Sequence, residues 1–162
     1  RTRCWLEEIA LRESIARHPA EWEEQLVLAH HRLAQTPRSL AEDRFEDNPE
    51  WEPRHRAFHR ALIAACPYTS MRNFCDELYV RKTRYRRLLG SYGFTAKEVV
   101  AEHRELMEAV LSRKVARAQQ AIRAHIAITN DVITEVLRAK EQGMLEPTGI
   151  QHKKKSRLQA AR

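Results

Sequence analysis

A chain of 162 residues is the length of one domain and enough for a continuous core, and its four glycines and six prolines predict an all-helical fold rather than a sheet or barrel. The formal net charge of +7 is concentrated at one end: every acidic residue lies at or before Glu146, and Lys153, Lys154, Lys155, Arg157 and Arg162 follow it. What precedes that tail carries only +2, which speaks against a folded body that reads DNA by its own charge. Three cysteines (Cys4, Cys66, Cys75) without a C-x-x-C pair fit a reduced, cytoplasmic protein with buried thiols. No apolar run reaches membrane-spanning length, and Arg1 to Glu8 has no signal-peptide character.

In chain order, a first helix is expected over 2–17, with Leu6, Ile9, Ala10 and Ile15 among its apolar positions and a stop at His18-Pro19. A second, over 20–35, carries Trp22, Leu26, Ala29 and Leu33 on one stripe. The mixed-charge segment 36–48 reads as a loop or short helical turns, with Glu42, Asp43, Glu46 and Asp47 at its surface. Asn48-Pro49 suits a helix start, although Pro53 implies either a start nearer Glu52 or a kinked first turn; this helix should end near Cys66-Pro67. The next begins at Thr69 or Ser70, uses Phe74, Leu78, Tyr85 and Leu89, and stops in the 90–93 turn. Thr95 to Glu98 matches a capping box that opens a helix with Val99, His103, Leu106 and Val110 on one face. After a break near Ser112, a long helix to about Gln142 presents Ala118, Ile122, His125, Thr129, Val132 and Val136. The division is therefore 1–142 for a helical bundle and 143–162 for a basic, disordered tail.

Four of the eight histidines fall on apolar stripes. His55 and His59 lie four residues apart with Phe58, Leu62 and Cys66, while His103 and His125 occupy the inward faces of two further helices. His18, His30, His31 and His152 lie at a helix end, late in the second helix, or in the tail. Helical carbonyls are already used, so four core imidazoles need another partner, and one metal ion held by facing helices satisfies them together. Neutral imidazoles without thiolate suit zinc, nickel, cobalt or copper, with zinc or nickel first, and the ion should leave as pH falls below the histidine range.

Catalytic patterns are weak. In HRAFH, Arg56 stands where the H-E-x-x-H of zinc proteases has its glutamate, and Glu102 and Glu105 are expected off the His103 stripe. No nucleophile elbow or glycine-rich phosphate loop is present, so the chain is read as a non-enzyme. A metal-dependent helical-bundle enzyme and a metal-free helical interaction module stay as alternatives.

Arg3, Leu6 and Glu7 (R-x-x-L-E), Phe58 to Leu62 (FHRAL), Glu102 to Leu106 (EHREL) and Ala118 to Ile126, in that order and spacing, resemble the C-terminal ligand-sensing (FCD-type) domain of GntR-superfamily regulators of the FadR branch. WEPRHRAFHRAL is similar to the carbon-starvation-induced regulator subgroup. The resemblance covers about 2–138 and implies an antiparallel bundle of six to seven helices around a buried metal and effector pocket. It also implies a metal at His59, His103 and His125, with His55 where the family commonly has aspartate. A small organic acid, a dicarboxylate or hydroxy acid, would bind beside the metal, clamped by Arg3 and by Arg84 or Arg86. The family forms homodimers and contacts DNA through a preceding winged helix, which the chain is expected to lack.

Overall fold

The computed structural model describes residues 1–41, 45–89 and 96–142. Six α-helices run through them: α1 (Thr2–Arg17), α2 (Ala20–Ala34), α3 (Trp51–Leu62), α4 (Thr69–Leu89), α5 (Ala96–Leu111) and α6 (Val115–Glu141). The expected capping box at Thr95 and the tail from 143 lie outside the described residues, as do Glu42 and Asp43; Glu46 and Asp47 are exposed.

Local chemistry sets the helix ends. Pro19 excludes the helical conformation from His18, which closes α1 at φ 27° with its amide on the Ser14 carbonyl. Glu21 and Glu23 then face the amide end of α2, where negative charge is favourable. The connection 35–50 makes no helical turns among its described residues. It folds back on itself instead, with Leu40 donating to the Glu46 carbonyl (2.8 Å) and Asn48 Nδ2 donating to the Pro37 carbonyl (2.7 Å). Asn48 Oδ1 accepts from the Glu50 amide (3.0 Å), so the turn precedes a helix that starts at Trp51. Pro53 thus falls within the first turn, whose amides need no helical partner, and no kink is required. α3 ends at Leu62, and Cys66 follows in the turn.

Contacts between neighbours close a ring, α1–α6–α5–α2–α3–α4 and back to α1, with α4 also touching α6. Leu11, Leu26, Phe58, Leu62, Leu106, Val110 and Ile122 fill its interior. Each such side chain taken from water stabilises the fold by roughly 1.5–3 kcal/mol. Trp22 Nε1 donates to the Ala61 carbonyl (2.7 Å), joining α2 to α3.

The inward face of α4 differs from expectation. Phe74 and Tyr85 are 56% and 52% exposed, whereas Cys75, Tyr79 and Thr83 are buried. The helix is turned by about one residue from the stripe its largest apolar side chains define. The reason lies in the polar centre that Tyr79 and Thr83 serve.

Candidate metal centre

α3 carries two imidazoles inward because positions i and i+4 share a helix face. α5 adds His103 and α6 adds His125, and all four are buried. One ring nitrogen from each lies within 4.8 Å of the corresponding nitrogen of the others. His55 Nε2 and His59 Nε2 are 3.2 Å apart. Tetrahedral zinc with bonds near 2.0 Å separates its nitrogen ligands by about 3.3 Å, a spacing the His55–His59 pair already has and the whole set, within 4.8 Å, approaches. The surroundings are tightly packed: Trp51 stacks on His55 (4.4 Å, 15°), and Phe58 meets His59 and His103 edge-on (5.7 and 5.4 Å).

Outer partners hold the two rings of α3. Tyr79 Oη lies 2.6 Å from Glu52 Oε1 and 2.5 Å from His55 Nδ1. The carboxylate only accepts, so the phenol proton goes to Glu52 and the phenol oxygen accepts from His55 Nδ1–H. Thr83 Oγ1 also reaches Glu52 Oε1, at 3.2 Å. His55 therefore presents a lone pair at Nε2, the form a metal takes. At the other end, Arg3 Nη2 lies 3.5 Å from His59 Nδ1. A guanidinium only donates, so this contact is a hydrogen bond when Nδ1 accepts, the tautomer that carries the ring hydrogen of His59 on Nε2. That hydrogen faces the His55 lone pair, and the assignments made from the two ends agree. Arg3 is itself held by Glu7 (2.5 Å) and lies 5.1 Å from the Tyr79 ring centroid.

Glu102 is not turned away, as its helix position suggested: its Oε2 is 3.4 Å from His125 Nδ1. His30 is also inward, edge-on to Phe58 at 5.7 Å, with Nε2 buried and no hydrogen-bond partner. Burial, reinforced by the nearby charge of Arg104, lowers its pKa and keeps it neutral. Arg84 is exposed on α4 and is not brought to the cluster, and the Arg86 side chain lies outside the described residues. Arg56 is engaged in a two-pronged contact with Asp76 (2.8 and 2.6 Å), which holds the Asp76 carboxyl below the usual range. Glu52 and Tyr79 were missed by sequence reading; their one sequence signal was the presence of polar groups one turn from His55 and on the less apolar side of α4.

A cavity of about 190 Å³ reaches His103 between α2, α3 and α5, lined among others by His30, Gln35, Thr36, Arg38 and Trp51. On the opposite side, beside Glu7, His59 and Tyr79, the gap is about 10 Å³, room for one water.

Residues 1–128 match the FCD domain family. The chain is 36% identical over 139 residues to the uncharacterized HTH-type transcriptional regulator BphR of Paraburkholderia xenovorans (strain LB400), an alignment covering 83% of this chain and 55% of that protein. It is 28% identical over 139 residues to the HTH-type transcriptional repressor GlaR of Escherichia coli (strain K12), covering 83% and 62%. The chain thus spans a little over half the length of these relatives. A solved structure of a GntR family transcriptional regulator from Pseudomonas syringae pv. tomato str. DC3000 shares the fold, with a TM-score of 0.70 over 89% of this chain and 57% of that one at 19% identity.

Proposed function

This chain belongs to the FCD domain family, homologous to GntR-family HTH transcription regulators, and on that premise we propose that it is the metal-dependent, small-carboxylate-sensing and dimerising part of such a regulator. It would control DNA binding by an attached winged helix. The observation that carries the reading is the meeting of four buried imidazoles from three helices around one interior point.

The donor set fits a divalent ion, zinc or nickel, because it is all nitrogen and uncharged. Such an ion supplies a positive centre that draws a carboxylate oxygen. Tyr79 and Glu52 orient His55, Glu102 faces the outer nitrogen of His125, and the apolar walls of Trp51 and Phe58 exclude water. The about 190 Å³ cavity at His103 suits an organic acid of a few carbons, since about 150 Å³ already accommodates benzene. Arg38 in its wall places a guanidinium for the acid's far end. Exposed Phe74, Val80 and Tyr85 on α4 offer apolar surface for a second copy. The relatives are transcription regulators, which weighs against the enzyme reading.

The test is elemental analysis of chelator-treated protein reloaded with Zn²⁺ or Ni²⁺, followed by a thermal-shift screen of dicarboxylates and hydroxy acids. One ion per chain, lost in His103→Ala and His125→Ala, and acid-induced shifts only in the loaded protein are expected. Failure to retain stoichiometric metal would leave a metal-free interaction module.

A further inference from the structure

We infer that Arg3 acts as a brake on metal loading, exerted through the position of the His59 ring hydrogen; the inference rests on reading the four-imidazole cluster as a metal centre. An ion at that centre needs a lone pair on the inward nitrogen of each ring. His55 offers one, because its hydrogen is committed to Tyr79. His59 does not, because the donor-only guanidinium of Arg3 occupies its Nδ1 and leaves the hydrogen on the inward Nε2.

For His59 to ligate, the hydrogen must move to Nδ1, with net protonation unchanged. Nδ1–H would then face Arg3 Nη2, donor against donor, where the present separation is 3.5 Å. The guanidinium has no acceptor and does not deprotonate. Arg3 is also anchored, by Glu7 at 2.5 Å and by packing over Tyr79, and is only 8% exposed. Loading must therefore displace an anchored side chain, and that cost is subtracted from metal affinity. By reciprocity, whatever draws Arg3 off His59 raises affinity for the ion by the same factor. An anion that draws the Arg3 guanidinium to itself does this, so such an anion and the ion would favour one another. The first-helix arginine then sets how much metal the domain holds when no acid is present.

Arg3→Gln separates the terms, because a glutamine amide keeps a donor for Glu7 and offers an oxygen to His59 Nδ1–H. In carboxylate-free buffer, competition with a chromophoric chelator should show Arg3→Gln binding Zn²⁺ about tenfold more tightly than wild type. Long-range ¹⁵N–¹H spectra of chelator-treated wild type should show His59 as the Nε2–H form, converting to Nδ1–H on addition of Zn²⁺. Equal or weaker Zn²⁺ binding by Arg3→Gln overturns the proposal. So does a His59 already in the Nδ1–H form in chelator-treated wild type, a measurement that needs no variant to fold. A wild type that takes up no stoichiometric Zn²⁺ instead removes the metal-centre reading beneath it.

Discussion

Tyr79 on α4 and Glu52 on α3 are joined by a hydrogen bond of 2.6 Å, and through it a carboxylate acts on the ring of His55. Glu52 keeps the phenol proton directed at itself, which keeps the His55 hydrogen outward and its inner nitrogen ready for an ion. Tyr79→Phe should lower metal affinity about 10–100-fold, the range found when outer-shell partners are removed. Glu52→Gln should cost less, since the amide oxygen still accepts. Chelator competition measures both; a Tyr79→Phe affinity equal to wild type, with helix content intact, would show the relay to be irrelevant.

His30 makes stability depend on pH. Burial, then the charge of Arg104, depress its folded pKa below the ordinary 6.5. The unfolded chain therefore binds the proton first as pH falls through about 6.5, and stability is lost from there down toward the folded pKa. Urea unfolding in the presence of chelator should show wild type losing stability as pH falls below about 6.5, and His30→Gln losing less. Parallel losses in the two proteins would contradict this account.

Phe58 wedges between His30, His59 and His103 with no exposed surface. Phe58→Ala should destabilise the domain by about 3–5 kcal/mol in urea denaturation, transfer and cavity terms together. Phe58→Leu should cost clearly less, and a loss below about 1 kcal/mol for the alanine variant would mean the wedge had collapsed or was never tight.

The thiols should be sluggish. Burial, with Glu7 adding to it, pushes Cys75 up to about 12, and burial with the Glu8 hydrogen bond pushes Cys4 up to about 11. At pH 8 the folded protein should react with a thiol-disulfide reagent about a hundredfold more slowly at Cys4 than after unfolding in urea, because the thiolate is the reactive form. Rapid stoichiometric labelling of Cys4 in the native protein would refute the assignment.

Much of the helical frame was legible in the chain. Pro19 punctuates it, the 3.6-residue period marks the apolar faces, and α1 and α4 span the expected residues, whereas α3 ends at Leu62, short of the expected Cys66-Pro67. The four inward histidines could be read for the same reason: an imidazole on an apolar stripe goes where the stripe goes. The rotation of α4 could not. Phe74 and Tyr85 are larger than Cys75 and Thr83, but only the rotation that exposes them brings Tyr79 to His55 and Glu52.

By itself, then, the sequence settled which side chains lie on helix faces, because that depends on local period and on prolines that act within a turn. Tertiary structure alone decided which atoms meet: Arg3 with His59 across 56 positions, Tyr79 with Glu52 across 27, and Glu102 with His125 between helices. Those pairings depend on how far each helix turns and slides against its neighbours. No local pattern encodes that, and with it comes the outer partner of each ring on α3.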